Sequence, residues 1–304
     1  MRHTVGKIFD AYLHSPDFAR LKGGTQKDYE THLRKAGSTP IEHNKHFGNY
    51  RANKLEVRHA ITAYENWLTS GVRSANYRKA CVSAAWKYGM RTGMADHNPI
   101  SLVRTLSTQP RRVMWQRDQV KQFLETAYDS WNWRNMGLIV QMSYEWGQRV
   151  GDMRLLTWDS VNLDECRLDI VQSKRGAAVH LPIGKSLCRM LHKQKEDFGF
   201  QKYVAPRVTA ENTVYYPYNK SDISRITNEI LEEAGLPSTL TAMDLRRTAV
   251  TEMMEGDVDI IGIMQVTGHK SATSLRPYMV NTFRGAAKAL AARGNDDDDE
   301  DEPD

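Results

Sequence analysis

The stretch RLDIVQSKRGAAVHLP, residues 167–182, decides the fold class of this chain. Its two ends, Arg167 to Gln172 and Ala177 to Pro182, are short segments rich in apolar and β-branched residues, and Arg175-Gly176 between them is a turn signal. This pattern predicts an antiparallel β-hairpin. The segments on both sides carry apolar residues at helical spacing. The sequence therefore predicts a mainly α-helical protein with a small antiparallel β-sheet, an α+β fold.

Helices are predicted on both sides of this hairpin. Their apolar residues recur at the helical period, and their bounds are Gln116–Thr126, Trp133–Trp146, Lys185–Lys195, Ser221–Ala234, Thr241–Glu255, Ile260–Val266 and Arg284–Ala292. Residues 113–294 are therefore predicted to form one mixed domain. The tail that follows, residues 295–304, contains the run DDDDEDEPD. We expect it to be disordered, because it cannot bury apolar surface.

The first third of the chain has only helical signals. The predicted helices are Val5–Leu13, Thr25–Lys35, Leu55–Leu68 and Ser74–Tyr88. Residues 1–105 are thus predicted to form a small all-helical domain. The segment LSTQPRR, residues 106–112, is polar, contains a proline and lacks periodicity, so we interpret it as a linker. Two domains also suit a length of 304 residues.

The charge of the chain is divided unevenly. The formal net charge is +5, but the last nine residues carry eight acidic side chains, so residues 1–294 carry +13. Residues 1–110 contain 17 basic and 8 acidic side chains, whereas residues 111–294 contain 25 and 21. A basic body of this kind indicates a polyanionic partner, most simply nucleic acid. The acidic tail is either a solubilising appendage or a competitor of DNA phosphates for the basic surface.

Several classes of protein are excluded by composition. The three cysteines, Cys81, Cys166 and Cys188, are odd in number and far apart in sequence, so we expect neither a disulfide framework nor a metal knuckle. A reducing cytoplasm fits this usage. The N-terminus has no apolar leader, and the longest aliphatic stretch is too short to cross a bilayer. Nucleotide-binding and serine-hydrolase motifs are absent from the sequence.

Five motifs in the second domain carry residues suited to chemistry on phosphate. In chain order they are the Arg149-x-Gly-Asp box, Lys174 in the Ser-Lys-x-Gly turn of the hairpin, the Asp-Leu-Arg246-Arg box, the Gly-His269-Lys-Ser box and Tyr278. Together they resemble the tyrosine recombinase family, also called phage-type integrases. Residues 1–105 resemble the core-binding domain of that family, so the resemblance covers nearly the whole chain except the acidic tail.

The resemblance implies a site-specific recombinase that cuts and rejoins DNA through a 3′-phosphotyrosine, for integration or excision of a mobile element. Tyr278 is expected to attack the phosphodiester, which releases a 5′-hydroxyl. Arg149 and Arg246 are expected to bind the non-bridging oxygens, because guanidinium forks match phosphate. Lys174 is expected to protonate the leaving oxygen, and His269 to hydrogen-bond the phosphate. This chemistry requires no cofactor, metal or ATP.

One position departs from the family pattern. Family members usually place a histidine three residues before the second arginine, where it hydrogen-bonds the phosphate, and here that residue is Met243. A thioether donates no hydrogen bond. We expect an active enzyme because the other five residues are present. The alternative is a catalytically weakened, sequence-specific DNA-binding protein on the same scaffold. A type IB topoisomerase, which uses similar tyrosine chemistry, is a further alternative.

Each motif alone also has an ordinary structural explanation. Arg149 and Asp152 are compatible with an ion pair at a helix start, Lys174 with a solvated turn, and Tyr278 with a packed aromatic ring. It is their joint order that favours catalysis. By the resemblance, we expect Asp152 to brace the site and not to react.

The partners implied by the resemblance are a double-stranded DNA core site and further copies of the chain. We expect a clamp around the duplex, a homotetramer on paired sites in a bacterial cytoplasm, and an accessory DNA-bending or excision factor. The segment FRGAAKALAA, residues 283–292, has a small apolar face that suits docking on a neighbouring subunit or within its own. The expected phosphate contacts are Arg20, Lys22, Lys27, Arg34, Lys35, Arg73, Arg78 and Lys79.

Overall fold

The computed structural model describes residues 3–43, 45–109, 111–174, 176–208, 215–278 and 283–291. The chain divides into two compact units, unit 1 being Met1–Pro110 and unit 2 Arg111–Asp304. The predicted acidic tail, residues 295–304, lies outside the described residues. Within the described part of the chain, no helix is both long and apolar enough to cross a membrane.

Unit 1 is mainly helical. Its helices are α1 Val5–Leu13, α2 Pro16–Ala19, α3 Gly23–Gly37, α4 Val57–Leu68 and α5 Val72–Arg91, and its 3-10 turns are Phe47–Asn49, Ala52–Lys54 and Pro99–Leu102. A short antiparallel hairpin of β1 Pro40–Glu42 and β2 Lys45–His46 follows α3. This hairpin is an addition to the predicted helices, because strands of two and three residues give no periodic signal in the sequence.

Apolar residues at helical spacing form the core of unit 1. Helix α1 is capped at its N-terminus by Thr4, whose hydroxyl accepts a hydrogen bond from the Lys7 amide at 3.3 Å. Its residues Val5, Ile8, Phe9 and Tyr12 are all buried. Helix α1 packs on α5, where a Cβ at Gly89 would lie 2.8 Å from Ile8 Cγ2. The close approach of these two helices therefore requires glycine at this position.

One of the basic residues expected to contact phosphate is buried. Arg78 in α5 is 5% exposed, and its guanidinium lies 5.9 Å from the centre of the Trp67 ring. Burial lowers the pKa of this guanidinium. Six of the other seven residues are exposed and Lys79 is half-buried. The surface of unit 1 thus keeps most of its positive charge available to solvent.

Unit 2 combines helices with a three-stranded sheet. Its helices are α6 Arg117–Asp129, α7 Arg134–Glu145, α8 Val150–Met153, α9 Lys185–Phe198, α10 Lys220–Glu233, α11 Leu245–Glu255, α12 Ile260–Thr267 and α13 Phe283–Ala291. Short 3-10 turns cover Trp158–Ser160, Ala242–Asp244 and Ala272–Tyr278. The long helices match the predicted segments closely, whereas the four-residue α8 was not predicted, since it is too short for periodicity.

The sheet of unit 2 contains the predicted hairpin. Strands β3 Val161–Asn162, β4 Arg167–Val171 and β5 Ala178–Pro182 are antiparallel in the order β3-β4-β5. In β4 and β5, Leu168 pairs with Leu181 and Ile170 with Val179, and all four side chains are buried. This alternation places the apolar side chains of the hairpin on the face that packs against the core. The loop between β4 and β5 reaches the site described below.

The structure contradicts the expectation about cysteines. Cys166 and Cys188 form a disulfide that joins the start of β4 to α9 across 22 residues of sequence, whereas Cys81 is free and buried in unit 1. Sequence spacing did not reveal the pair, because the two residues become neighbours only when α9 packs beside the hairpin. The enclosed segment contains the whole hairpin.

Candidate active site

Arg149 lies on a turn between two helices of unit 2. Helix α7 ends at Glu145, Gly147 adopts a positive φ of 58°, and Arg149 caps the start of α8. A positive φ favours glycine, so this residue sets the turn. The side chain of Arg149 is 21% exposed, and its Nη1 donates a hydrogen bond to Gln172 Oε1 at 2.8 Å. The turn therefore presents a guanidinium that is held on one side and accessible on the other.

Arg246 lies in the first turn of α11 and is 4% exposed. Its Nη1 donates to the Gly147 carbonyl at 3.1 Å, and its Nη2 donates to the Thr267 carbonyl at 2.5 Å. Gly147 is two residues before Arg149. The structure therefore brings both predicted arginines to one place, although 97 residues separate them in sequence.

His269 lies beside Arg246. Helix α12 ends at Thr267, Gly268 then reverses the chain with a positive φ of 67°, and His269 follows with 5% exposure. The Thr267 hydroxyl donates its one proton to the Ile263 carbonyl at 2.5 Å, so it accepts from His269 Nδ1 at 2.6 Å. The Arg246 Nη2 is 3.4 Å from His269 Nε2. The imidazole is thereby held in one orientation within the arginine cluster.

Lys174 lies on the turn between β4 and β5 and is exposed. Its neighbour Ser173 donates to Asp152 Oδ1 from both the main-chain amide, at 3.1 Å, and the hydroxyl, at 2.5 Å. The other oxygen of Asp152 is 3.8 Å from Arg149 Nη1. Asp152 therefore links the lysine turn to the arginine turn, which agrees with the bracing role expected for it.

Two further predicted positions lie in 3-10 turns of unit 2. Tyr278 ends the 3-10 turn Ala272–Tyr278, and its side chain lies outside the described residues. Met243 is 74% exposed and belongs to the 3-10 turn that precedes Arg246. Its thioether is thus on the surface of unit 2, three residues from a catalytic candidate.

The sequence did not identify the residues that hold the site together. Gln172 and Gln148 are 1% and 0% exposed, and Gln172 Nε2 donates to Gln148 Oε1 at 2.6 Å. Gln148 Nε2 in turn donates to the Val266 carbonyl at 2.6 Å. A buried amide needs partners for both its oxygen and its nitrogen. The one sequence feature that marks this network is Gln172, a polar residue directly after an apolar strand.

A second support lies on the other side of Arg246. Arg111 binds the buried Asp244 carboxylate through Nε, at 2.9 and 3.0 Å, and through Nη2 at 2.8 Å. Thr241 donates to the same carboxylate at 2.7 Å. The hydrogen bonds that Arg111 donates to Asp244 raise the pKa of the Arg111 guanidinium. Arg111, the first residue of unit 2, thus holds the turn that precedes α11 in place.

This arrangement is suited to binding a tetrahedral dianion or a phosphodiester. The Arg246 guanidinium lies within hydrogen-bond distance of the His269 imidazole, and the Arg149 guanidinium is joined to them through the Gln172 side chain and the Thr267 carbonyl. A lysine lies on the adjoining turn. Such donors stabilise charge that develops on phosphate oxygens. Among the residues that the structure describes, no group of three or more His, Cys, Asp or Glu side chains is placed to hold a metal ion.

Comparison with known proteins bears on the family and the fold of this chain. The model of the Phage integrase family matches residues 114–284. Tyrosine recombinase XerC of Pelobacter propionicus is 25% identical over 212 residues, which is 68% of each chain. A lambda integrase tetramer bound to a Holliday junction has a TM-score of 0.73 at 19% identity, covering 92% of this chain and 80% of that one. The Tn1549 transposon integrase, solved with a circular intermediate DNA, has a TM-score of 0.72 at 15% identity, covering 96% and 99%.

The family match covers more than half of the chain, so this protein belongs to the phage integrase family of tyrosine recombinases. The sequence-based predictions of that family, of the mainly helical fold with a small antiparallel sheet, and of the tyrosine-type site-specific recombinase class are confirmed.

Proposed function

We propose that this protein cuts and rejoins DNA at a specific site through a 3′-phosphotyrosine on Tyr278. The observation that carries the proposal is the position of the buried Arg246 side chain. Its guanidinium contacts the Gly147 carbonyl, the Thr267 carbonyl and His269. These contacts place the second arginine against the turn of Arg149. Charged donors fixed before substrate binds are the arrangement that stabilises a phosphorane-like transition state.

Each step assigns one task to one group. Arg149 and Arg246 bind the two non-bridging oxygens, and His269, in its doubly protonated form, donates a hydrogen bond from Nε2 to the same phosphate. The Tyr278 oxygen attacks phosphorus and releases its proton to solvent, a new O–P bond forms, and the bond to the 5′-oxygen breaks. Lys174 supplies the proton to that leaving oxygen. Rejoining is the reverse attack by a 5′-hydroxyl, so the phosphodiester energy is retained in the covalent intermediate.

The second candidate function, a catalytically weakened DNA-binding protein, rests on Met243. A histidine at this position would add a donor to the phosphate, and one such donor is worth about a hundred- to a thousandfold in rate. Met243 is 74% exposed, so a histidine in its place has room to adopt a useful rotamer. We favour activity because Arg149, Arg246 and His269 lie in one cluster without it.

We further propose that both units bind duplex DNA and that the chain acts as a tetramer on paired sites, in the cytoplasm of a bacterial cell, to move a mobile element. The division into units 1–110 and 111–304 supports a division of labour in which the first unit binds DNA and the second binds and cleaves it. The lambda integrase relative is a tetramer on a Holliday junction, and the other solved relative comes from a transposon. The same proposal includes a clamp of the two units around the duplex and an accessory DNA-bending factor. It also includes the docking of residues 283–292 on a neighbouring subunit.

The first experiment identifies the DNA site. The protein is incubated with bacterial genomic fragments and denatured, and the DNA linked to protein is sequenced at its attached end. We expect one recurrent site with protein on the 3′ end. A nicked duplex of that site then traps the intermediate, and two marked copies of the site test strand exchange. Relaxation of supercoils without exchange would indicate the topoisomerase alternative.

The second experiment separates the two candidates. Wild-type protein and the Met243→His and Tyr278→Phe variants are compared on the nicked duplex for binding and covalent trapping. We expect adduct from wild type, and from Tyr278→Phe binding without adduct. Sequence-specific binding by wild type without adduct, together with adduct from Met243→His, would favour the weakened protein.

A further inference from the structure

One buried amide contacts the surroundings of both catalytic arginines. Gln172 is 1% exposed, its Oε1 accepts from Arg149 Nη1 at 2.8 Å, and its Nε2 donates to the Thr267 carbonyl at 2.8 Å. The same carbonyl accepts from Arg246 Nη2 at 2.5 Å. Hydrogen bonds therefore connect Arg149 to Arg246 through the Gln172 side chain and the Thr267 carbonyl. The Thr267 hydroxyl extends this connection to His269.

The chemistry of the partners fixes the direction of this amide. A guanidinium only donates and a carbonyl only accepts, so the oxygen of Gln172 must face Arg149 and its nitrogen must face Thr267. The packing is close as well, since a Cβ at Gly268 would lie 2.8 Å from Gln172 Nε2. Only an uncharged side chain with an acceptor and a donor on one carbon satisfies both sides at once.

We propose that Gln172 is a positioning residue for strand cleavage, because it sets the Arg149 guanidinium in register with Arg246 and His269. This proposal rests on the proposed function. Gln172 does not touch the phosphate in this scheme. It acts through Arg149 on one side and through the Thr267 carbonyl, shared with Arg246, on the other.

The nearby acid explains why a positioning residue is needed. Asp152 Oδ2 is 3.8 Å from Arg149 Nη1, which is beyond hydrogen-bond distance but close for opposite charges. Without the acceptor on Gln172, we expect the guanidinium to move toward Asp152. A shift of about 1 Å in such a group costs on the order of a hundredfold in rate.

The chain contains a matched control. Gln194 in α9 is also 1% exposed, its Oε1 accepts from Arg134 Nη2 at 3.0 Å, and its Nε2 donates to Asn135 Oδ1 and the Val204 carbonyl at 2.8 Å each. It therefore has the same kinds of partners as Gln172, but none of them belongs to the candidate site. Replacing Gln194 therefore measures how much cleavage slows when a buried amide outside the site is removed.

The test compares Gln172→Met, Gln172→Glu and Gln194→Met on the trapped-site duplex. Methionine keeps length but removes all three side-chain hydrogen bonds, to Arg149, Thr267 and Gln148. Glutamate keeps an acceptor for Arg149, but its second oxygen faces the Thr267 carbonyl and Gln148 Oε1, which also only accept, so the side chain is repelled from its position. Binding affinity and the single-turnover cleavage rate at saturating DNA are measured separately, with circular dichroism as the check on folding. If Gln172→Met does not fold, the isosteric Gln172→Glu decides the comparison.

We expect both Gln172 variants to cleave about a hundredfold more slowly than wild type at nearly unchanged affinity. Gln194→Met should cleave within about threefold of wild type, since it lies outside the phosphate site. A methylphosphonate at the cleavage position removes the oxygen charge that the arginines neutralise. On that substrate the defect of the Gln172 variants relative to wild type should shrink at least about tenfold.

Two results would overturn the inference while leaving the proposed function intact: cleavage by Gln172→Met or Gln172→Glu as fast as by Gln194→Met, or a defect of the same size on phosphate and methylphosphonate. Failure of the proposed function gives a different result, because then wild-type protein itself forms no covalent adduct on its bound site.

Discussion

Lys174→Ala should slow strand cleavage by removing the proton donor to the 5′-oxygen. Lys174 is exposed on the β4–β5 turn, and no described contact ties its amine to an acid, so truncation to alanine removes little packing. A general acid contributes about a hundred- to ten-thousandfold to rate, or about 3–5 kcal/mol of barrier. We expect a loss in that range with DNA affinity nearly unchanged.

The neighbouring residue gives an intermediate effect. Ser173→Ala removes the 2.5 Å hydrogen bond from the serine hydroxyl to Asp152 and keeps the 3.1 Å bond from the amide. A hydrogen bond to a charged group is worth about 1.5–3 kcal/mol when buried, and at this exposed turn we use about 1 kcal/mol. If that bond holds the lysine turn, Ser173→Ala should slow cleavage about fivefold.

The assay is single-turnover cleavage of two nicked duplexes that differ in the leaving atom. One has the ordinary 5′-oxygen and the other has sulfur in its place. A thiol with a pKa of about 8.5 leaves as the thiolate and needs no proton. The defects of Lys174→Ala and Ser173→Ala should therefore nearly vanish on the sulfur substrate. As a control, Arg246→Lys should remain slow on both, because it acts on the non-bridging oxygens.

An equal defect of Lys174→Ala on oxygen and sulfur would refute the reasoning. Lys174 would then act on the phosphate or on DNA binding. If only Ser173→Ala were not rescued, its hydroxyl would serve the arginine turn through Asp152 and not the lysine.

Three predictions concern stability. Asp244→Asn should lower the free energy of unfolding by about 1–2 kcal/mol in urea titrations, because it weakens the hydrogen bonds from Arg111, whose side chain is 38% exposed; an unchanged midpoint would contradict this role. Replacing Cys166 and Cys188 with serine should cost up to about 3 kcal/mol more without reductant than with it, because the bond joins residues 22 positions apart in sequence; equal loss in both conditions would show that no disulfide forms. Burial raises the pKa of Glu145, so its carboxyl favours folding below the unfolded pKa and this contribution is lost as pH rises through the folded pKa. Glu145→Gln should thus be more stable than wild type at pH 7 and not at pH 4, and urea titrations at both values check this.

The regular elements were accessible from the sequence because each is encoded locally. The alternation in residues 167–182 predicts β4 and β5, and apolar spacing predicts α1 within its observed bounds. Strand β3 was missed because two residues carry no period. Helix α8 was missed for the same reason.

The candidate site was accessible only in part. Motif order predicted Arg149, Lys174, Arg246 and His269, and the structure places the two arginines and His269 in one cluster with Lys174 on the adjoining turn. The contact from Gln172 to Thr267 spans 95 residues, and no local pattern encodes it. The disulfide was missed for a similar reason, since tertiary packing alone brings its two cysteines together. Long-range polar contacts of this kind become visible only in the folded chain.

The central claim is that Tyr278 becomes covalently joined to the 3′ end of cleaved DNA. The most direct measurement is peptide mapping by mass spectrometry of the adduct trapped on the nicked duplex, after nuclease and protease digestion. The account predicts a nucleotide remnant on Tyr278 in wild type and no adduct in Tyr278→Phe, which still binds the site. A remnant on another residue, or an undiminished adduct in Tyr278→Phe, would contradict it.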